Sequence, residues 1–445
     1  MRDFAVSDHP AVQAQLDRLG ALAVPRGRLS LDPVRTLLAR LGNPQRRLPP
    51  VFHVAGTNGK GSTCAFLRAM LEAQGARVHA FTSPHLVRFN ERIRIAGKLV
   101  EDDELAELLK TVLDADTDIG ASFFEVSTAA AFLAFARHPA DACVIEVGLG
   151  GRFDSTNVLE RPTICGVASL GIDHEAFLLA PEEDVPTVPI ERIAFEKAGI
   201  AKPGVPLVTG PHPDDVEKVI AATVRERGGE LLASPASWSA TVEADRMTYR
   251  DARGVLDLPL PTMPGEHQAA NAALAVAMLR HQDEVPVSAD AIARGIVAAR
   301  WPARLQKLGD GPLTAALPDR TVWVDGGHNP DAAWAIAAAM RGNAPLDLVF
   351  GLLANRDIAS VLGPLAPLAQ SLRAVPIPGH EHHDPQVIAR LARDRLGIAK
   401  VSAAASLESA LEDAAGDAGG AAHLLIAGSL YLAGEVLRLN RELPQ

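Results

Sequence analysis

Short apolar runs alternate with stretches of helical spacing along almost the whole chain. Val51–Ala55, Val78–Thr82, Ala142–Val147, Thr163–Ala168 and Pro206–Thr209 each read as a buried strand, with helices such as Glu101–Leu113 and Phe124–Ala136 between them. That alternation predicts a mostly parallel α/β sheet. Residues 231–260 break it: Trp238, Thr241, Val242, Met247 and Tyr249 predict a small antiparallel patch, and an alanine-rich helix over His267–His281 follows. A boundary falls near Trp301-Pro302-Ala303-Arg304 and the turn-forming Gly309-Asp310-Gly311-Pro312. Beyond it the alternation restarts with strand Thr321–Asp325, helix Asp331–Met340, strand Leu346–Phe350, strand Leu424–Ala427 and helix Tyr431–Leu437. The biased segment Ala403–Ala422 keeps helical spacing at Leu407, Ala410 and Leu411 and reads as a helix and a loop. Two domains are expected, residues 1–303 and a smaller doubly wound 304–445.

Between the first strand and the amphipathic helix bearing Phe66, Leu67, Met70 and Leu71 lies Gly56-Thr57-Asn58-Gly59-Lys60-Gly61-Ser62. A strand, a glycine-rich turn and a helix start form a nest of backbone N–H groups suited to polyphosphate. Lys60 would place a point charge on the β/γ-phosphates and Ser62 a hydroxyl near magnesium. The usual phosphate-loop spacing has four residues between the first glycine and Gly-Lys; here only Thr57 and Asn58 intervene, and Gly61 separates the lysine from the serine.

Composition narrows the partners. With 445 residues, 48% hydrophobic and 22% charged, the chain is an ordinary globular protein. A net charge of −11 argues against nucleic acid or an anionic membrane as partner. Cys64, Cys143 and Cys165 are too few and scattered for a disulfide frame or zinc site and read as small core residues. The N-terminus lacks an apolar leader, and no run approaches a spanning helix, so a cytoplasmic protein is expected.

Further polar clusters fall at predicted strand ends, where α/β sheets bind ligands. They are Thr82-Ser83-Pro84-His85, the run from Glu146 through Gly148, Gly150 and Gly151 to Arg152 and Asp154, and Gly171-Ile172-Asp173-His174-Glu175. A hydroxyl, a carboxylate and an imidazole beside a phosphate loop can hold magnesium, although imidazole is not its common ligand. Singly, each has a bland reading: a turn serine, an arginine's partner, a loop. Glu196-Lys197 likewise reads as a surface pair, and Asn329 and Asp331 after Val324-Asp325-Gly326-Gly327-His328 read as helix caps.

Together these residues resemble the folylpolyglutamate synthase/dihydrofolate synthase family of the Mur ligase superfamily, over nearly the whole chain. The resemblance rests on the phosphate loop, Thr-Ser-Pro-His-Leu with Asn90-Glu91-Arg92-Ile93, Glu-Val-Gly-Leu-Gly-Gly-Arg, Asp-His and Glu-Lys-Ala-Gly-Ile. It continues through His267-Gln268-Ala-Ala-Asn271-Ala, Trp-Pro-Ala-Arg304, Asp-Gly-Gly-His-Asn-Pro and Gly428-Ser-Leu-Tyr-Leu. It implies a P-loop parallel-sheet ATPase domain followed by a Rossmann-like ligase domain on the glutamate and nucleotide-cleft side. The implied activity is ATP- and magnesium-dependent addition of L-glutamate to dihydropteroate or to a folylpolyglutamate, through an acyl phosphate. By motif, Gly59, Lys60, Gly61 and Ser62 would hold the ATP phosphates, and Asn271, Arg304 and Asp325 would contact the nucleotide. Ser83, Glu146 and His174 match magnesium ligands. Lys197 matches a lysine carbamylated by carbon dioxide beside a second magnesium, which explains a lysine near a metal that would repel its ammonium form. His328 would lie in the interdomain cleft near the reacting phosphate. Phe123, Phe124, Glu125 and Arg152 match positions facing the pterin, which offers a π-face and a donor edge; this segment favours dihydrofolate synthase activity beside tail extension.

Three departures stand out. Asp-Gly-Gly-His replaces the more usual Asp-Gly-Ala-His, and Arg28-Leu29-Ser30-Leu31 stands where a pterin-contacting segment would be. The segment around 176–190, with Pro181, Pro186, Pro189, Glu182, Glu183 and Asp184, is longer than usual and reads as a surface insertion before a helix starting near Ile190. The partners expected are small molecules acting on a monomer. The alternatives are a Mur ligase acting on a UDP-MurNAc-peptide, a catalytically silent ATP-binding paralogue and a simple P-loop kinase. The Ser-Pro-His-Leu motif and the short stretch before Val51 count against the first. The presence of Lys60, Glu146, His174 and Lys197 counts against the second, and a second domain bearing Asp-x-x-His against the third.

Overall fold

A computed structural model describes residues 6–22, 30–417 and 419–445; Arg28 and Leu29 of the segment singled out above lie outside them. The chain divides into two compact units, one comprising the residues up to Thr262 with Gln268–Arg300, the other Met263–His267 with Trp301–Gln445.

The first unit is built on an eight-stranded sheet. Its strands are β1 (Val51–Ala55), β2 (Val78–Phe81), β3 (Ile93–Ile95), β4 (Lys98–Leu99), β5 (Ala142–Glu146), β6 (Ile164–Val167), β7 (Pro206–Thr209) and β8 (Glu230–Ala233). In space they run β4-β3-β2-β5-β1-β6-β7-β8. All pairs are parallel except β2–β3 and β3–β4. The central strands read as continuous apolar runs because both faces are covered. On one face Phe81, Cys143 and Ile145 pack with Leu105, Leu109, Val126, Phe132 and Phe135 of the helices Asp102–Ala115 and Phe123–Arg137. On the other, Val147, Cys165, Val167 and Leu207 pack with Ala194, Ala198, Val216 and Ile220 of the helices Pro189–Ala198 and Asp214–Glu226. All three cysteines are buried. The antiparallel patch is a three-stranded sheet of β9 (Trp238–Glu243), β10 (Arg246–Asp251) and β11 (Gly254–Pro259). The fully buried Asp251 carboxylate pins it to the helix Glu266–Arg280, accepting two hydrogen bonds of 2.6 Å from Arg280.

The second unit carries a six-stranded sheet of β12 (Gln306–Lys307), β13 (Thr321–Val324), β14 (Leu346–Phe350), β15 (Ala369–Ala374), β16 (Lys400–Ala403) and β17 (His423–Ala427). The order is β12-β13-β17-β14-β15-β16, parallel except for β12–β13. This is the smaller Rossmann-like α/β layer. The buried Asp347 on β14 accepts from Arg320 Nη1 at 2.6 Å and from Ser371 Oγ at 2.5 Å, fastening β15 and the loop before β13 to the sheet. Among the described residues no helix is long and apolar enough to cross a membrane.

Candidate active site

β1 delivers the phosphate loop to the helix Lys60–Ala73, whose first N–H groups have no intrahelical acceptor. Gly59 caps that helix at φ +84°, and a Cβ there would stand 2.2 Å from Asn271 Oδ1, so only glycine fits between loop and amide. Thr57 Oγ1 donates to Gly171 O at 2.9 Å and accepts from Gly171 N at 3.1 Å, while Thr57 N and Asn58 N donate to Ser169 O. The loop is therefore sewn to the segment that follows β6. Ser62 is buried and Lys60 half-buried.

The expected metal-site residues follow the C-terminal ends of neighbouring strands: Ser83 after β2, Glu146 closing β5, the phosphate loop after β1 and His174 beyond β6. Across the sheet these ends run β2-β5-β1-β6. Ser83 N donates to Glu146 Oε2 at 3.1 Å, and the carboxylate is buried. His174 sits in the left-handed region at φ 55°, its backbone N donating to Asp173 Oδ1 at 2.6 Å. Among the described residues no three His, Cys, Asp or Glu side chains gather as a metal cage. A hard cation such as magnesium binds through few protein ligands and keeps water and phosphate oxygens.

Lys197, near the end of the helix Pro189–Ala198, is buried and directs Nζ to Gly56 O at 2.9 Å. Lys60 Nζ donates to the same carbonyl at 3.0 Å and to Thr57 O at 3.2 Å. Burial, reinforced by the Lys60 charge, pushes the Lys197 ammonium down to about 7, against the weaker pull of Asp173, Asp154 and Glu196. Glu196-Lys197 is thus no surface pair. A substantial share of neutral amine near neutral pH is what addition to carbon dioxide requires.

The pterin-facing candidates begin the helix Phe123–Arg137. Ser122 caps it, accepting from Glu125 N, while Glu125 Oε2 accepts from Ser122 N at 2.7 Å, a reciprocal capping box. Phe124 stacks against Phe81 with ring centroids 5.7 Å apart, and Phe123 meets Phe89 edge-on at 6.0 Å. The buried Arg92 guanidinium lies 5.3 Å from the Phe123 ring and donates from Nε to His85 Nδ1 at 2.9 Å. Arg152 faces carboxylates of the chain itself, Glu182 and Glu196.

In the second unit Asp325 follows β13. Its buried carboxylate accepts from Gly327 N at 2.6 Å and Leu305 N at 2.7 Å; burial raises its pKa, with the nearby Arg304 opposing. Arg304 Nη1 donates to Ala303 O at 2.9 Å, and His328 Nδ1 lies 2.9 Å from Gly326 O. Asn329 is indeed a cap, accepting from Ala332 N at 2.9 Å.

Two carboxylates acquire weight that spacing alone did not give them. Asp173 acts on the Lys197 charge. Asp154 is buried, accepts from Leu149 N at 2.8 Å and Thr156 Oγ1 at 2.5 Å, and so shapes the glycine-rich loop. In the sequence both stand in polar runs at strand ends, Asp173 also in the Asp-His motif, and neither position by itself indicates these contacts.

Known proteins of the same build settle the family. The chain is 34% identical to folylpolyglutamate synthase of Lacticaseibacillus casei over 423 residues, 91% of this chain and 92% of that protein. The chain belongs to the folylpolyglutamate synthase/dihydrofolate synthase family. The dihydrofolate synthase/folylpolyglutamate synthase of Escherichia coli is 34% identical over 355 residues, 79% of this chain and 78% of that protein. The structure of E. coli FolC in complex with DHPP and ADP superposes with a TM-score of 0.83 at 30% identity, covering 97% of each chain. A bifunctional folylpolyglutamate synthase/dihydrofolate synthase with Mn, AMPPNP and L-glutamate bound gives 0.81 at 29%, covering 96% of this chain and 97% of that one. Within the second unit, residues 311–430 match the family described as Mur ligase, glutamate ligase domain. The fold of this folylpolyglutamate synthase/dihydrofolate synthase family member is therefore that of a Mur ligase.

Proposed function

We propose that this chain is an ATP-dependent ligase that forms an amide bond between a pteridine or folate carboxylate and L-glutamate. The substrate carboxylate attacks the γ-phosphorus of ATP, giving an acyl phosphate and ADP. The glutamate amine then attacks the acyl carbon, phosphate leaves, and the amine gives up a proton. Phosphoryl transfer of this kind is governed by positioning and charge neutralisation. The relatives' substrates support the reading, and the observation that carries it is local: Lys60 and Lys197 share Gly56 O beside a glycine-rich helix start.

Under this reading the first unit binds ATP, with Gly59, Lys60, Gly61 and Ser62 on the phosphates and Asn271 behind the loop. Arg304, Asp325 and His328 serve the nucleotide and the reacting phosphate from the second unit, the ligase domain. Magnesium, two ions in our reading, would be held by Ser83, Glu146, His174 and Lys197 as its carbamate, and would neutralise charge on the phosphates. The donor set fits: the oxygens are hard, and the lowered Lys197 pKa favours the amine that becomes a carboxylate equivalent. Phe123 and Phe124 offer aromatic faces to a pterin, with Glu125 as acceptor beside them.

Phosphate release with ATP, magnesium and glutamate tests the reading directly, comparing dihydropteroate with tetrahydrofolate as acceptor. Turnover with dihydropteroate is expected, and turnover with tetrahydrofolate adds tail extension. Release with neither acceptor refutes the assignment.

A further inference from the structure

The segment around 176–190, expected from the sequence to be a surface insertion, carries the acidic Glu182, Glu183 and Asp184. In the structure it brings Glu182 into a square of charges whose corners Arg192 and Glu196 are buried and whose corners Arg152 and Glu182 keep slight exposure. Arg152 donates from Nη1 and Nη2 to Glu182 at 3.0 and 2.5 Å, and from Nη2 and Nε to Glu196 at 2.7 and 3.2 Å. Arg192 Nη2 lies 2.6 Å from Glu182 and 3.0 Å from Glu196, and its Nε donates to Leu178 O. The four side chains are between 6% and 14% exposed, so charge is balanced in a place that water barely reaches. Phe153 and Phe195 lie 4.3 and 4.8 Å from the Arg152 guanidinium and close the sides.

The square joins the glycine-rich loop, the long segment and the helix Pro189–Ala198. Two corners, Arg192 and Glu196, stand on that helix, and Arg152 N donates to Glu196 O at 2.8 Å. Lys197 is the next residue. Neighbours on a helix point in different directions, so Glu196 turns into the square while Lys197 reaches Gly56. Without Glu182 two guanidinium groups would face one carboxylate, and an unbalanced buried charge forces rearrangement.

We propose that Glu182 is a positioning residue for the ligase reaction: by completing the square it fixes the register of the helix Pro189–Ala198 and thereby the place of Lys197. The proposal rests on the role given to Lys197 above. It assigns the long segment a part in the reaction and explains why its acidic residues differ, since Glu183 is exposed where Glu182 is not.

The test uses the full chain with Glu182→Gln, Glu182→Asp and, as control, Glu183→Gln. Glutamate-dependent phosphate release and hydrogen exchange of the amides of residues 193–198 are both measured. In Glu182→Gln, kcat should fall about 10- to 100-fold with KM for ATP within about twofold, as for a small misplacement near the chemistry, and helix exchange should accelerate. Glu182→Asp, which keeps the charge and guards against a variant that fails to fold, should recover most of both readouts. Glu183→Gln should match wild type. Wild-type kcat in Glu182→Gln, or loss of activity without faster exchange, overturns the proposal. Exchange needs no substrate, so the two failures separate: a wild-type chain without turnover defeats the ligase reading, whereas unchanged exchange defeats the square.

Discussion

At the residue scale the site depends on side chains held against their ordinary preference. Lys197 is the clearest case, buried and drawn toward neutrality beside a second lysine. Lys197→Ala should cost about 100- to 1000-fold in kcat, the scale of losing one charge-stabilising group, and acetate or formate should restore part of it. A fully active variant would remove the carbamate from the account. Gly59→Ala should weaken ATP binding in calorimetry. Its φ of +84° costs a side chain about 1–2 kcal/mol, and the new methyl would meet Asn271. Individual side chains were legible in the sequence only where chemistry limits the choice. Glycines and a lysine at a helix start advertise phosphate. Glu182 advertised nothing, because a glutamate in a proline-flanked loop looks the same whether it faces water or two arginines.

At the scale of elements, apolar runs disclosed the central strands to within about a residue or two, a usual margin for element ends. They failed at the sheet edges and on the strands next to them. β3 and β4 carry Arg94 and Lys98 and are too short for a period to show, and β12, β15 and β16 were equally unmarked. The capping box of the helix Phe123–Arg137 fixes the helix start and so where Phe123 and Phe124, the proposed pterin-facing rings, stand. Ser122→Ala should cost about 1 kcal/mol in stability and raise KM for the pterin substrate while leaving kcat near wild type. Saturation kinetics with dihydropteroate read this directly.

For the whole molecule, the two units predict two cooperative transitions in calorimetry. Asp251→Ala, which strands Arg280, should destabilise the first by about 3–5 kcal/mol, and Asp347→Ala should lower the second. Acid should act on the first unit through His53, which lies in the core on β1 with Nε2 2.8 Å from Thr156 Oγ1. Burial, helped by Lys202, pushes it down to about 3. The unfolded chain binds this proton near pH 6.5, whereas the fold refuses it until about 3. The His53 contribution is therefore complete above pH 6.5 and falls by about 1.4 kcal/mol per unit as pH drops between those values. Denaturant titrations from pH 7 to 4 check this, and His53→Gln should flatten the slope.

The order of strand ends, β2-β5-β1-β6, also differs from the order in which the chain is made. Phosphate loop, Ser83, Glu146, His174 and Lys197 leave the ribosome in sequence, yet the loop's place between β5 and β6 exists only once those later strands have arrived. Newly made β1 must wait for partners far along the chain, and such distant pairing is slow. On the proposed assignment of the loop to ATP, nucleotide therefore cannot steady the early nascent chain. Its stabilising effect would begin late, once the helix carrying Lys197 has emerged and Lys197 has reached Gly56 O.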